Sequence, residues 1–533
     1  MKDKKWIYYV TAFLSGTSVM AIELGASRLL APYFSSSQIV WTIIIGTIMI
    51  AMAIGNVIGG KMADKFDNPS KLFGWLFAAA TFTMLIPVFG KFVISGVALI
   101  LATFVTKNYL IWASLISCLL VFVFPLLVLG MVTPNLVKFA VKDISENGKT
   151  VGIIEACNTI GSIIGTFLPT FVTIPSIGTT LTFVVFASVL YIICLIYFIY
   201  KKRHIVKTIV IFIIALILGL FSNKIGTAFW KSDIVYEGES IYNYLRVEED
   251  DEKIIFSTNA LFSFQSIKRK NSTLAGWYYD YALAGPVMAG GVTKPISICI
   301  LGLGSGTYGE ECLKRFKVSS IDGVEIDGKI IEIAKTYFDL PKEIATYEED
   351  GRAFLDATTN KYDVILVDAY RDITIPFQMS SIEFFTSVKN HLNKDGVMVI
   401  NMNMRSKNEG AINDYLEGTV RSCFSSVYTC DVGGNVELFA SNDYDVKERL
   451  ITNAKLIISD YPLRSLMQTV SSKMKMVEPS SYILTDDKAP VEVLGMKVLD
   501  EIIEDKLKNI KESIKGKSLK ELLDMLISGK LNF

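Results

Sequence analysis

Hydrophobic residues follow two rhythms in this chain, and the change falls near Ser222. Before it, apolar residues form long runs separated by short polar loops. A helix that crosses a bilayer needs ~20 mostly apolar residues. Seven stretches meet that length, at about 6–31, 39–63, 71–89, 109–131, 150–173, 178–200 and 205–222. Residues 92–106 are apolar but short, and read as an interfacial segment or an eighth span. The first stretch does not read as a cleaved leader: it carries Glu23 and Arg28, is too long, and shows no clear cleavage site before the next span. Gly46, Gly55, Gly59 and Gly60 on the second stretch predict close helix packing, because small residues let backbones approach. Pro125, Pro134 and Pro169 predict kinks or helix ends. Charges inside a bilayer face a partner or a cavity. Glu23 and Arg28 on the first stretch, with Glu155 and Asn158 on the fifth, are therefore expected to pair within the bundle, or else to form a polar site for a solute.

Beyond residue 222 the pattern is that of a mixed globular domain. Tyr242–Val247, Ile254–Ser257 and Ala260–Ile267 read as short strands. Ile296–Leu301 is a continuous apolar run, as expected of a buried parallel strand. It ends in Gly302-Leu303-Gly304-Ser305-Gly306, and a helical pattern opens near Thr307. Ser320–Val324 ends in Glu325-Ile326-Asp327, with a helix at about 328–338. A third strand ends in Asp350-Gly351, and a fourth, Tyr362–Val367, ends at Asp368. Helix 381–392, strand 396–402, helix 409–423 and two closing strands follow. Alternating strands and helices imply a doubly wound parallel sheet, whose ligands bind at the carboxyl ends of the strands. Every motif just named sits at such an end. Residues 498–512 and 518–530 read as amphipathic helices packed on the soluble domain, and a homo-oligomer is expected. The expected division is a transmembrane helical domain at 1–222, a small β-rich subdomain with a connecting helix at 223–290, an α/β nucleotide-binding domain at 291–445, and a helical extension at 446–533.

Composition agrees with a membrane half joined to a soluble half. The chain is 51% hydrophobic with a mean hydropathy of +0.41. Its 53 basic residues balance 53 acidic ones, which argues against a nucleic-acid partner. Seven cysteines form no CxxC pair, and read as reduced core residues. With only His204 and His391, neither a histidine metal site nor a Ser-His-Asp triad is expected, and no metal is expected.

The glycine loop gains meaning from its surroundings. It follows a strand and opens a helix, where glycines let a nucleotide approach the backbone. Glu325 lies about 20 residues on, at the tip of the second strand, where a carboxylate accepts both ribose hydroxyls. Asp350, at the tip of the third, is placed to meet an adenine amino group.

This arrangement resembles class I S-adenosylmethionine-dependent transferases, and more narrowly the spermidine synthase family of aminopropyltransferases, over roughly residues 235–440. The segments that carry it are residues 300–306, 324–327, 349–355 and 362–370. Residues 23–33 and 485–492 are similar to the first helix and the C-terminal motif of its integral-membrane branch. The resemblance implies transfer of an aminopropyl group from decarboxylated S-adenosylmethionine to an amine such as putrescine, as in polyamine biosynthesis, with release of methylthioadenosine. The donor, or S-adenosylmethionine itself, would be a co-substrate held by Gly302, Gly304, Ser305, Gly306, Glu325, Asp350 and Gly351. Asp368 matches the family's catalytic aspartate. Tyr279 lies near its active-site tyrosine, with Tyr278 and Tyr281 leaving the register open. Asn243 and Gln265 fall near two glutamines that contact the nucleotide.

Two departures bear on the amine half of the site. Ser305 stands where the family has an aspartate for the aminopropyl ammonium, and the gate loop reads Asp368-Ala369-Tyr370-Arg371-Asp372, with arginine at its second acidic position. They favour, as an alternative, an acceptor-independent cyclase or lyase on the same donor. A methyltransferase and a transporter with a nucleotide-sensing domain are further alternatives. Basic residues cluster at Lys2–Lys5, Lys61–Lys71, Lys138–Lys149 and Lys201–Lys207, which the positive-inside rule places in the cytoplasm. With seven spans that would put the soluble domain outside; the cytosolic supply of the donor favours the cytoplasm instead.

Overall fold

Residues 1–232, 259–262 and 506–533 form one unit, and residues 233–258 and 263–505 form another. The structure, a computed structural model, describes the chain except for residues 1–4, 106, 142–146, 262–263, 370–374, 404–405, 407, 515–520 and 522–533. The gate-loop residues Tyr370, Arg371 and Asp372 and the expected helix at 518–530 thus lie outside the described residues, Glu521 apart.

The first unit is helical. Among the described residues, six helices are long and apolar enough to cross a membrane: Lys5–Phe34, Gln38–Lys65, Ser70–Phe104, Val123–Ala140, Asn147–Lys201 and Ile205–Ser222. The expected count of seven differs in how the stretches join. Most of the stretch at 92–106 does not form a separate helix, because the helix Ser70–Phe104 runs through it. The expected span at 109–131 is divided into Tyr109–Val121 and Val123–Gly130, and Val132–Ala140 continues it. The expected spans at 150–173 and 178–200 join in one 55-residue stretch. Gly178 interrupts that stretch with a φ of 79° and ψ of 170°, far from helical values. Pro125 and Pro134 lie just after breaks, and Pro169 opens a π-helical turn at Pro169–Thr173, as the missing N–H and the ring clash require. Of the four glycines on the second helix, Gly55 and Gly59 are packing positions: a Cβ there would meet the Leu127 carbonyl and the Met131 backbone. Gly46 and Gly60 face open space. Glu23 and Arg28 are half-buried, and Glu155 is exposed.

The second unit carries two sheets. The smaller consists of β1 (Ile234–Glu239), β2 (Tyr244–Glu249), β3 (Lys253–Ser257) and β4 (Ser266–Arg269), antiparallel in chain order. The strand expected at 260–267 begins later than its apolar residues suggest. Asn259 Oδ1 accepts the Leu261 N–H at 2.7 Å, an Asx turn that holds this stretch out of the ladder.

The larger sheet contains β5 (Ile296–Leu301), β6 (Val318–Glu325), β7 (Ile344–Glu348), β8 (Tyr362–Val367), β9 (Leu392–Met402), β10 (Ser426–Asp431), β11 (Val436–Ser441) and β12 (Lys475–Met476). Its spatial order is β12-β10-β11-β9-β8-β5-β6-β7. β5 to β9 pair in parallel, and β10 to β12 close the sheet antiparallel. The strands are buried on both faces, as their continuous apolar runs require. One face carries Ile298, Ile300, Val364, Leu366, Val399 and Phe439 against the short helices Tyr278–Ala282 and Ala284–Met288. The other carries Leu301, Val367, Ile400 and Leu438. Beyond the sheet, helices Val446–Ala454 and Tyr461–Lys473 pack on the first face, and the helix expected at 498–512 runs from Val491 to Ile514.

Candidate active site

The order of the strands brings the tips of β5, β6 and β8 side by side. β5 lies between the other two, so the glycine loop stands between Glu325 and Asp368. Gly302 has a φ of 97° and Gly306 a φ of 79°, values that glycine adopts readily. A Cβ on Gly302 would come within 2.6 Å of the Asp368 carbonyl carbon and 2.8 Å of Ala369 Cα. Glycine at this position therefore lets the loop lie directly on the Asp368 backbone, whose N–H donates to Leu301 O at 2.8 Å.

Glu325 turns back onto this loop. Its Oε2 accepts the Gly304 N–H at 3.1 Å, and its Oε1 accepts the Asp327 N–H at 3.2 Å. Burial pushes its carboxyl up to about 7 against those two bonds. An ionised carboxylate has about four acceptor sites, so each oxygen keeps capacity for a hydroxyl donor. Asn243 is tied to the same strand tip, its Nδ2 donating to Asp327 Oδ2 at 3.2 Å. Ser305 is buried, with its Oγ 2.8 Å from Thr307 Oγ1. Gln265 immediately precedes β4, and its Nε2 donates to Thr258 Oγ1 at 2.9 Å.

Asp350 caps the helix Gly351–Ala357, its Oδ1 accepting the Arg352 and Ala353 N–H groups at 3.0 and 3.1 Å. Its Oδ2 accepts Gln378 Nε2 at 3.2 Å. Arg352 holds this corner: it donates to Gln378 O at 3.0 Å and, in a two-pronged pair at 2.7 Å each, to Asp486. That pairing pulls the Asp486 carboxyl down to about 2. The C-terminal segment at 485–492 thus braces the Asp350 tip. Gly351 packs closely here too, since a Cβ would stand 3.1 Å from Met379 Cε.

At the tip of β8, Asp368 receives two neutral donors. Tyr278 Oη donates to Oδ2 at 2.7 Å, and Asn401 Nδ2 donates to Oδ1 at 2.8 Å. Burial pushes its carboxyl up to about 7, the two donors holding it lower than burial alone would. The tyrosine that touches the aspartate is Tyr278, not the expected Tyr279. Tyr279 Oη is engaged elsewhere, donating to Ile267 O and accepting from Ile267 N, both at 2.8 Å. Asp280 fixes this register by accepting the N–H groups of Ala275, Gly276 and Trp277 with its buried carboxylate. Sequence reasoning missed Asn401 and Gln378. Asn401 had a findable signal, a polar residue ending an apolar strand beside β8; Gln378 sits in a short 3-10 turn with no pattern to mark it.

Doubly wound sheet, glycine loop and successive strand-tip carboxylates together define a protein of the doubly wound α/β class, whose members bind ligands at the carboxyl ends of their strands. The Spermine/spermidine synthase domain family matches residues 284–432. A probable polyamine aminopropyl transferase of Bifidobacterium longum is 44% identical over 347 residues, covering 62% of this chain and 77% of that protein. A polyamine aminopropyltransferase of Vibrio vulnificus is 27% identical over 282 residues, covering 50% of this chain and 92% of that one. Among solved structures, a probable spermidine synthase of Corynebacterium glutamicum aligns with a TM-score of 0.37 at 16% identity, over 45% of this chain and 95% of that one. Spermidine synthase of Thermotoga maritima aligns with a TM-score of 0.35 at 18% identity, over 52% and 88%. The chain belongs to the spermidine synthase family of polyamine aminopropyltransferases, which are transferases.

Proposed function

We propose that this chain is a membrane-anchored aminopropyltransferase that moves the aminopropyl group of decarboxylated S-adenosylmethionine to an amine, with Asp368 as base and methylthioadenosine as the released product. The observation that carries this reading is Asp368 itself, a carboxylate at a strand tip with a pKa near 7, aimed by Tyr278 and Asn401 beside the glycine loop.

The residues divide the work in two. Gly302, Gly304 and Gly306 admit the donor to the backbone, Glu325 takes its ribose hydroxyls, and Asp350 with Gln378 and Gly351 forms the adenine end. Ser305, Asn243 and Gln265 stand at the margin of this half. Asp368 serves the other half. An acceptor amine arrives as an ammonium and must lose a proton before it can attack. Asp368 takes that proton. The nitrogen lone pair then forms a bond to the aminopropyl carbon next to sulfur, the carbon–sulfur bond breaks, and its electron pair neutralises the sulfonium. A sulfonium leaves readily, so positioning and proton removal supply most of what the protein must add.

The membrane part of the reading is supported by the six long apolar helices and by what they expose. Met49, Val57, Phe104, Phe171, Val206 and Ile217 are each at least 60% exposed, an apolar surface suited to lipid. The break at Gly178 supports two passes within the 55-residue stretch, since ~80 Å of continuous helix exceeds a ~30 Å hydrocarbon core more than twice over. We place the catalytic unit in the cytoplasm, where its donor is supplied, and with seven passes this sets the amino terminus on the opposite face, against the pattern of basic loops; labelling of engineered cysteines in intact cells tests this, and modification by an impermeant reagent would reverse it. For the chemistry, Asp368→Asn should abolish amine-dependent release of methylthioadenosine while donor affinity stays within about tenfold.

A further inference from the structure

Glu437, the second residue of the apolar strand β11, is fully buried, and neither of its oxygens has a hydrogen-bond partner among the described residues. A buried polar group left without a partner costs ~1–3 kcal/mol, more if it is charged. Its place in the sheet suggests what it serves. On β11 it pairs directly with Asn401 of β9. Val367 of β8 pairs with Ile400, so the next residues along, Asp368 and Asn401, adjoin in the same row. Asp368, Asn401 and Glu437 therefore cross three neighbouring strands at one level, at the carboxyl edge of the parallel sheet.

All three also share a face. Leu366, Val399 and Phe439, each two residues away along its strand, belong to the cluster under the helix Tyr278–Ala282. That helix lies against both β9 and β11. Tyr308, the second residue of the helix after the glycine loop, belongs to the same cluster, and its buried hydroxyl makes no hydrogen bond of ordinary geometry among the described residues. Burial and the neighbouring Asp368 push the Glu437 carboxyl well above its ordinary value. Neither acid is ion-paired among the described residues. The two carboxyl groups stand two strand spacings, about 10 Å, apart, with Asn401 between them along the row; an ammonium bound beside each would favour its ionised form.

We propose that Glu437 is a second anionic anchor of the active site, holding the distal ammonium of an aliphatic diamine while Asp368 receives the proton of the attacking one. This rests on the proposed aminopropyl transfer and deepens it: the acceptor is a dication, and the Asp368–Glu437 separation measures its length. Glu437 is thereby a specificity-determining residue of this chain.

The test uses the full chain in detergent and follows methylthioadenosine release from decarboxylated S-adenosylmethionine with putrescine or with n-butylamine, which has the same carbon count and one ammonium. Wild type should prefer the diamine by about a hundredfold or more in kcat/KM. In Glu437→Gln that preference should fall at least tenfold, mainly through KM for the diamine, with donor affinity unchanged. Glu437→Asp keeps the charge but withdraws it by one methylene, and should shift the optimum to a diamine one carbon longer. A merely structural acid would leave both the preference and the length optimum where they were, and that result overturns the inference while the aminopropyltransferase stands. If wild type releases no methylthioadenosine with either amine, the underlying transfer reaction fails, and this inference with it. If Glu437→Gln does not fold, the length optimum of Glu437→Asp decides alone.

Discussion

Tyr278 gives its phenolic proton to Asp368 across 2.7 Å, while its neighbour Tyr279 is locked to both backbone groups of Ile267. Adjacent residues of one short helix thus serve the site and the scaffold separately. Tyr278→Phe should reduce kcat about ten- to a hundredfold with the fold intact, since it removes one of two donors that aim the base. Tyr279→Phe should instead cost roughly 1–3 kcal/mol of stability and leave kcat within a few fold, because it strands two buried backbone groups. Steady-state kinetics and thermal unfolding of the two variants separate the roles.

The pH response follows from Asp368, held near pH 7 by burial. A base must be ionised, so kcat should climb as pH rises to about 7 and flatten above it. Stability should run the other way. The folded value lies above the unfolded one of ~3.9, so folding favours the protonated form. That advantage is complete below pH ~4 and is lost as pH rises through about 7. Unfolding midpoints measured from pH 4 to 8 should therefore fall more gently in Asp368→Asn than in wild type. Part of the slope remains there, because Glu325 is shifted the same way.

Gly302→Ala should be more damaging than its size suggests. The added methyl meets the Asp368 backbone, and φ of 97° is unfavourable for alanine. Loss of ~2 kcal/mol or more, with reduced donor binding, is the expected result. Gly434→Ala is the control, since a Cβ there meets nothing within 4 Å.

Asp486→Asn should loosen the adenine end without touching the base. It breaks a two-pronged pair with Arg352, which also holds Gln378 against Asp350. The pair is partly exposed, so the stability loss should be only ~0.5–1 kcal/mol. Donor Kd should rise several-fold, while the pH midpoint of kcat stays where it was.

Local patterning made much of this structure legible. Continuous apolar runs mark β5 and β8, and each ends at a motif whose chemistry depends on being at a strand tip. What could not be read was set by register and by packing between distant segments. Two successive tyrosines differ only by rotation about a helix, and Asp280 decides which of them reaches Asp368. Glu437 reads as one acid in an apolar strand until β11 pairs with β9 and brings it level with Asn401. Asp486 lies 134 residues from Arg352, and only the fold joins them. In the helical unit, hydropathy located the apolar stretches but not their joints. Continuity across residues 70–104 and the break at Gly178 depend on backbone angles at single residues.

The most direct test of the central claim is to incubate the purified full chain with decarboxylated S-adenosylmethionine, with and without putrescine, and identify the nucleoside released by wild type and Asp368→Asn. The account predicts methylthioadenosine that requires the amine and disappears in Asp368→Asn. Methylthioadenosine released equally without any amine, or unchanged turnover in Asp368→Asn, would contradict it.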